Sequence, residues 1–548
     1  MSFCNRVAMP RIVLSVVSVL ALAFLVACGS SSNKATPPPT GGFSNSNLNG
    51  TYVFSTQGFD ASTGSPITIA GAFTACGCAG GTISGGNLTY VDPGIATASG
   101  QTINASSYSV GVDGRGTATL NTASASPFNV ITLDFALNST NGGTVSEFDS
   151  TGTGSGTIAL ATSVAQSDIE NSTGYAYMVT GEDSTESFSG AAAGAFVVSS
   201  SDNLSGGIYD LSEVSLSNGT VSGFAGFTFT TASTVTVGTG TAPGAATLTD
   251  GSNTYTFDVY AVSANDLKLI ETDGHIVGSG DAFAQTSLPS GTLAFTMNGL
   301  DDSNGAPLSM GGLLPFSGGT ITAGTQDYND GGTSNTQASV GGSFPNPLSG
   351  GRTTLQLTGF FNGGLLVPPN VTFAAYPTTN GTLLVEIDGG GVTAGSALVQ
   401  TNTSLAASQG YAMDISATNI GSGSGEFEED DIAEFTSTSS GFSGLVDVND
   451  EGTTTGSNPP TFDGTYSSLS TGRYQFTANP SGNFGGVSGA VYTVDGQTLL
   501  FLEGDAAQIG TGILQVQNSS GAAKAAARQP VMTFHQLAAA HAAKWHKK

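Results

Sequence analysis

The sequence predicts an all-β protein of four tandem antiparallel domains, each an eight-stranded up-and-down, calycin-like barrel. Two observations predict this fold. A glutamate followed two residues later by an aspartate recurs four times, and each copy lies among runs in which apolar residues alternate with Ser and Thr, as in half-buried strands. The four copies are Glu147/Asp149, Glu271/Asp273, Glu386/Asp388 and Glu503/Asp505.

Other residues keep a constant distance from these pairs. A glycine follows each glutamate by nine residues, and a glutamine follows three of the four by fourteen. The glycines are Gly156, Gly280, Gly395 and Gly512, and the glutamines are Gln285, Gln400 and Gln517, with Ala161 in the first copy. Constant offsets of this kind indicate repeated copies of one folding unit. The predicted units 1 to 4 span 47–163, 164–286, 287–401 and 402–518.

Within unit 1 the alternation predicts eight strands. They lie near 51–57, 66–74, 81–90, 105–112, 115–121, 128–137, 143–149 and 155–162. Turn-forming pairs such as Asp113-Gly114 and Asn141-Gly142 join several of them, so successive strands are antiparallel and can close into a barrel without exposed edges. An immunoglobulin-like sandwich is the alternative, because it also has regularly spaced short strands.

The charge is strongly acidic and unevenly distributed. The chain has 40 acidic residues against 12 Lys and Arg, and only four of those cations lie within the repeats. The four are Arg115, Lys268, Arg352 and Arg473. A surface this acidic repels phosphate backbones, which excludes nucleic acid as a partner of the repeats.

The amino terminus has the pattern of a secretory signal. Two arginines precede an apolar run that is too short for a typical transmembrane helix, and the run ends in Leu25-Val26-Ala27-Cys28. This ending resembles the lipobox of bacterial lipoproteins. The resemblance implies removal of residues 1–27, lipidation of Cys28 and, with Gly29 behind it, an outer-membrane location. Residues 28–46 then form a Ser/Pro/Gly tether, and the membrane is a partner through the lipid.

The Glu-x-Asp pairs permit two interpretations. Two carboxylates on one face of a strand have a separation that acid and base catalysis of glycoside hydrolysis uses. We favour a structural role, because an active site seldom occurs in every copy of a repeat and a buried carboxylate needs a partner. The predicted network pairs Arg115, Arg352 and Arg473 with Glu147, Glu386 and Glu503 of the same units, and adds the three glutamines. In unit 2, Gly244-Ala245 replaces Gly-Arg, so His275 is the expected partner of Glu271.

Metal and cysteine sites are few. Calcium candidates are the oxygen-rich loops with Asp327, Asn329, Asp330, Asp447, Asn449 and Asp450, although their spacing differs from an EF-hand loop and solvated turns are the alternative. No other cofactor is predicted. Cys76 and Cys78 flank one glycine and can form a small disulfide in an oxidising compartment.

The sequence contains no constellation typical of an enzyme. The repeats hold one histidine, His275, so no Ser/His/Asp triad can be assembled. The tail at 519–548 is basic and Ala-rich. We therefore expect a non-enzymatic, lipid-anchored envelope protein for surface display, adhesion, ligand binding or envelope structure, with an unknown envelope, glycan or protein ligand. The alternatives are a hydrolase of extracellular polymers that uses Glu/Asp pairs and a calcium-stiffened spacer.

Overall fold

The four predicted β units are present, and nearly all of their regular structure is strand. The computed structural model describes residues 42–520 except 171–172, 184–187, 216–219, 275, 302–305, 346–349, 362–369, 421–426 and 457. Unit 1 contains β1 to β9, at Asn49–Phe59, Pro66–Cys76, Thr82–Asp92, Ala96–Ile103, Ser106–Val110, Arg115–Asn121, Val130–Ser139, Gly142–Glu147 and Ser155–Leu160. Unit 2 begins with a short helix, Gln166–Ile169, followed by β10 to β18 at Tyr175–Asp183, Phe188–Val198, Leu204–Ser215, Val221–Thr228, Thr234–Val235, Gly244–Thr249, Thr254–Ser263, Asp266–Glu271 and Ile276–Ala284.

The second half repeats the pattern. Unit 3 contains β19 to β26, at Gly291–Asp301, Pro307–Ser317, Thr320–Asp330, Thr333–Ser343, Thr353–Thr358, Asn370–Thr378, Gly381–Glu386 and Gly391–Val399. Unit 4 contains β27 to β35, at Gly410–Asn419, Phe427–Ser437, Gly441–Asp450, Thr453–Thr454, Gly464–Ser470, Arg473–Ala478, Ser488–Thr493, Thr498–Glu503 and Gln508–Val516. No helix among the described residues is long and apolar enough to cross a membrane.

Units 1, 3 and 4 close into antiparallel barrels, which confirms the predicted fold class and not the sandwich. In unit 1, β4 and β5 both pair with β3 and together take the place of one strand, which explains nine strands where eight were predicted. Unit 2 is a nine-stranded sheet whose edge strands β13 and β14 are not paired with each other. Across its opening, a single bridge joins Asn203 to Thr234 among the described residues.

The repeated glycine closes each unit. It lies on the last strand, paired in register with a residue of the first strand, such as Thr56 with Gly156 and Val179 with Gly280. A Cβ on Gly156 would stand 1.8 Å from the carbonyl oxygen of Ser55, and one on Gly280 would stand 1.8 Å from that of Met178. Only glycine permits so close an approach of the two closing strands.

The units pack in a closed cycle. The outer face of the first two strands of each unit lies on the last three strands of the next, and unit 4 packs on unit 1 in the same way. Apolar clusters fill the first three interfaces, with Tyr260, Tyr376 and Tyr492 in equivalent positions. The apolar part of the unit 4–unit 1 interface is smaller and consists of Ala136, Ala412 and Ile432.

Candidate functional site

The two carboxyl groups of each Glu-x-Asp pair occupy different environments. Each glutamate ends the second-last strand of its unit, and none of the four is more than 1% exposed. Its cross-strand partner is an inward residue of the barrel in units 1 to 3, such as Leu133 for Glu147 and Phe257 for Glu271. Burial, followed by the neighbouring aspartate, raises the pKa of Glu147, Glu271 and Glu503 well above the usual glutamate value.

The aspartates hold the backbone together. Each accepts a hydrogen bond from a main-chain N–H at the start of the preceding hairpin: Thr132 to Asp149 at 2.9 Å, Thr256 to Asp273 at 3.1 Å, Thr372 to Asp388 at 2.5 Å and Ser488 to Asp505 at 3.2 Å. The same contact in four units indicates that the motif is part of the framework of each barrel.

The predicted pairing of the arginines with the repeated glutamates is wrong. Each arginine crosses to an aspartate of the neighbouring unit instead. Arg352 Nε donates to Asp210 of unit 2 at 2.5 Å, Arg473 Nε to Asp327 of unit 3 at 2.6 Å, and Arg115 Nη1 to Asp447 of unit 4 at 2.6 Å. The tyrosines Tyr376 and Tyr492 donate to the same aspartates. The arginines therefore hold units together and leave the glutamates to the barrel interiors.

Unit 2 has no arginine at this position, because the residue of unit 1 that faces it is a threonine and not an aspartate. Strand register places Thr89 of unit 1 at the position of Asp210, Asp327 and Asp447. It also makes Gly244 equivalent to Gly116, so Pro243, and not Ala245 as predicted, stands where the arginine would be. Thr89 Oγ1 donates to Asp258 of unit 2 at 2.5 Å and lies 2.9 Å from the Tyr260 hydroxyl. At this interface the acid, Asp258, therefore belongs to unit 2, and the hydroxyl donor belongs to unit 1.

The glutamines also act across the units rather than with the glutamates. Gln400 Nε2 donates to the carbonyl of Thr493 in unit 4 at 2.7 Å, and Gln517 Nε2 donates to that of Asp113 in unit 1 at 2.7 Å. Gln285 donates to Tyr175 within its own unit at 2.7 Å. The predicted network is corrected accordingly: the arginines, Gln400 and Gln517 bond across units, while the glutamates lie in the barrel interiors.

Four of the six calcium candidates serve the same interfaces, whereas Asp330 and Asp450 contact residues of their own units. Asp327 and Asp447 receive arginines, as described, while the Asn329 amide donates to the carbonyls of Asp505 and Gln508 at 2.9 Å each. Asn449 makes the equivalent contacts to Glu147 and Gly152, at 2.7 and 2.9 Å. Asp330 lies near Asp301, and burial followed by that neighbour raises its pKa to about 6. Asp450 accepts from the Asn419 amide at 3.2 Å. The part of the chain that the structure describes has no metal-binding group of three or more His, Cys, Asp or Glu.

Of the remaining predicted sites, the structure describes the cysteine pair. Cys76 and Cys78 are joined by a disulfide. Cys28, His275 and the basic tail lie outside the described residues. Lys268 pairs with Asp281 at 2.6 Å on the outer face of unit 2, where both side chains are fully buried.

Sequence reasoning missed a difference between the barrel interiors. In units 1, 3 and 4 the connection between the fifth and sixth barrel strands, at 122–129, 359–369 and 479–487, carries phenylalanines that pack into the core. Phe128 stacks on Tyr90 and Phe361 on Tyr328, each with ring centroids 4.0 Å apart. Unit 2 has only 250–253 at this connection and no aromatic residue there, and its residue at the Tyr90 position is Leu211.

A second change enlarges the same space. Unit 1 packs Ile67 and Ile69 inward from its second strand, and unit 3 packs Leu308 and Met310 at the equivalent positions. Register with the first strand places Gly190 and Ala192 there in unit 2. The missing volume leaves a cavity of about 170 Å³ inside unit 2. The signal was visible in the sequence as a short connection and as Gly and Ala in place of Ile, Leu and Met.

The cavity brings a buried carboxyl group among aromatic rings. Its lining includes Tyr177, Tyr209, Tyr255, Phe257 and Glu271, and all five belong to the inner face of the sheet. Glu271 Oε1 has no hydrogen-bond partner among the described residues. One of the four repeated glutamates thus faces a space that a small molecule can occupy, whereas protein side chains pack the equivalent interiors of units 1 and 3.

Comparison with known proteins gives little guidance. No protein-family model matches the sequence, and no curated protein matches it. A solved structure titled "Crystal structure of CghA with Sch210972" is similar at 15% identity over 64% of this chain and 88% of that chain, with a TM-score of 0.14. A TM-score of this size carries no argument about fold or ligand.

Proposed function

We propose that this is a non-enzymatic, lipid-anchored protein of the cell envelope whose unit 2 binds a small ligand and whose other units form its support. The observation that carries the proposal is the aromatic cavity of unit 2, at the place where units 1 and 3 are filled by Phe128 and Phe361. Ligand sites in proteins are concave, mostly apolar and few per molecule, with a small number of polar groups that orient the ligand.

Two further observations support other parts of the proposal, the first the non-enzymatic role and the second the lipid anchor. The aspartate of each Glu-x-Asp pair accepts main-chain N–H groups, and Asp388, for example, accepts from both Thr372 and Gly390. A carboxylate held by the backbone in this way is not positioned to transfer protons to a substrate. The lipobox-like Leu25-Val26-Ala27-Cys28 supports the anchor and the envelope location.

Filling the cavity tests the binding role. The variant Ala192→Met gives unit 2 the residue of unit 3 at this position, while Gly190 is kept because a Cβ there would stand 2.5 Å from the carbonyl oxygen of Ser212. We expect the purified protein to bind at least one compound from a set containing indole, p-cresol, choline and octanoate, as measured by calorimetry, and the variant to bind none. Urea unfolding of the variant checks that the fold is kept. A wild-type protein that binds none of the four compounds contradicts the proposed binding role.

Metabolic labelling tests the anchor. The protein expressed in a two-membrane bacterium should incorporate radioactive palmitate and sediment with the outer membrane. Cys28→Ala should abolish both, while Cys76→Ala, the matched control, should change neither. Labelling that persists in the Cys28 variant would contradict the lipobox interpretation.

A further inference from the structure

The charged groups at the unit 2 cavity are all acidic. Besides Glu271, the lining contains Asp183 and Glu213, and no Lys or Arg occurs among its described residues. Asp183 and Glu213 are partly exposed, so the carboxyl groups run from the surface to the buried end of the cavity. The whole chain carries a net charge of −28 at pH 7, which attracts cations to such an opening.

The aromatic rings are arranged as walls. Tyr209 and Tyr255 meet edge to face, with centroids 6.5 Å apart and planes at 80°. Tyr177 and Tyr209 both pair in register with Gly194 on the strand between them, and both rings contact Phe229, with centroids 6.3 and 5.0 Å away. Tyr209 also stacks on Phe227 and Phe229, which fixes its ring at the side of the cavity. Aromatic rings that line a cavity can bind an ammonium group through the ring quadrupole, and quaternary ammonium ligands are often held in this way.

Glu271 lies at the buried end of the cavity, beside Asp273 and without a cationic partner among the described residues. Its side chain is 1% exposed, and its Oε1 accepts no hydrogen bond from the described part of the chain. An ionised carboxylate in this position needs a cation beside it, because burial of an unpaired charge is costly. A bound ammonium group supplies that partner.

We propose that unit 2 binds a small organic cation, with its ammonium group between the rings of Tyr177, Tyr209 and Tyr255 and with Glu271 as its counter-ion. This inference rests on the proposed function. The volume of about 170 Å³ sets the size. An engineered protein cavity of about 150 Å³ holds one benzene molecule, so the ligand is of choline size rather than a lipid or an oligosaccharide.

Binding of the cation couples to loss of a proton. In the free protein, burial, followed by Asp273, raises the pKa of Glu271, which favours the protonated form of its carboxyl group. The cation favours the ionised form, and affinity should therefore rise with pH. The other titratable groups that face it are Asp183, Glu213, Tyr177, Tyr209 and Tyr255, while His275 lies outside the described residues.

Calorimetry with choline and its neutral isostere 3,3-dimethyl-1-butanol tests the inference on the full chain. We expect choline to bind at least tenfold more tightly, to gain affinity as the pH rises, and to release a proton detectable in buffers of different ionisation enthalpy. Glu271→Gln should weaken choline binding at least tenfold and leave the isostere unchanged. Glu147→Gln, the equivalent change in unit 1, should change neither affinity.

The possible failures are distinguishable. Equal affinity for choline and the isostere, both lost in Ala192→Met, overturns the cation inference and leaves the binding role of unit 2 intact. Binding of indole or p-cresol but not choline has the same meaning. Binding of none of these compounds to the wild-type protein overturns the inference together with the proposed function.

Discussion

Unit 2 differs from the other three units at two places, its interior and its interface with unit 1. Its interior has Gly190 and Ala192 where units 1 and 3 have larger apolar residues and unit 4 has Glu429 and Asp431. At its interface with unit 1, an Asp258–Thr89 contact replaces the Arg–Asp pair of the other three interfaces. The Glu-x-Asp loop and the closing glycine are the same in all four.

This difference distinguishes the contacts that all four units share from the interior and interface residues that vary between units. The constant contacts use the backbone, as when Asp273 accepts the N–H of Thr256, so they place few demands on the residues that fill the barrel. The interface residues vary in a concerted way, because a second acid facing Asp258 would leave two buried like charges without a cation. The interior of unit 2 has fewer side-chain atoms than those of units 1 and 3, and this leaves the cavity.

The largest expected effect is that of pH on stability, because unit 4 has buried acids at positions where unit 2 has its cavity. Burial raises the pKa of Asp431 and Glu503 well above normal, that of Glu434 to about 8 and that of Asp134 across the interface to about 7. A carboxyl group with a folded-state pKa above its unfolded value adds stability that is fully present below about pH 4 and is lost as pH rises through the folded pKa. At about 1.4 kcal/mol per unit of pKa, we expect a loss on the order of 5 kcal/mol between pH 4 and pH 9.

Urea unfolding across this pH range measures the loss. Glu434→Gln and Asp134→Asn should each flatten the profile, whereas Glu271→Gln in unit 2 should alter it less because fewer acids surround it. Stability that rises steadily from pH 4 to pH 9 would contradict the assignment of raised pKa values to these groups.

Removal of an interface acid is the next largest change. Asp327→Ala leaves Arg473 and the Tyr492 hydroxyl without their acceptor, and breaking such a buried pair costs about 3–5 kcal/mol. Thr89→Ala at the equivalent position of unit 1 removes a hydroxyl donor to Asp258 but no ion pair, and should cost less, about 1.5–3 kcal/mol. The first unfolding transition in urea gives both values. Similar costs for the two variants would show that the exchange of partners in unit 2 has no energetic meaning.

Exchange of inward residues between units 2 and 3 tests the interior. Met310→Ala should create a cavity in unit 3 and cost about 2–5 kcal/mol. The reverse change, Ala192→Met in unit 2, should stay within about 1 kcal/mol of the wild-type stability, because the side chain enters existing space. Thermal unfolding compares them. A large destabilisation by Ala192→Met would mean that the space in unit 2 is smaller than about 170 Å³.

The smallest expected effect concerns the framework. Asp388→Ala removes the acceptor of the Thr372 and Gly390 N–H groups and should cost about 1–2 kcal/mol. Asp273→Ala in unit 2 should cost the same, since Thr256 makes the equivalent contact. A tenfold loss of some hydrolytic activity in a folded Asp388 variant would instead favour catalysis.

Local patterns predicted the barrels well because strand alternation and turn residues lie close together in the sequence. The Glu-x-Asp spacing gave the repeat, and Cys76 and Cys78 pair as their separation allows. The partner of Arg352 was missed because Asp210 lies in another unit, and parity along a strand says nothing about which unit packs outside it. The cavity was missed because the connection at 250–253 had to be compared with its three equivalents.

The packing of unit 4 on unit 1 makes the order of the units along the chain arbitrary. Asn47 Nδ2 donates to the carbonyl of Ser519 at 2.8 Å, so the two ends of the described chain lie side by side. A circular permutant with these ends joined and a new start between units 2 and 3, at 286–291, should therefore reassemble the same four interfaces. In that permutant the chain itself joins units 4 and 1. The interface between units 2 and 3, which includes Asp210 and Arg352, then closes the cycle without a covalent link.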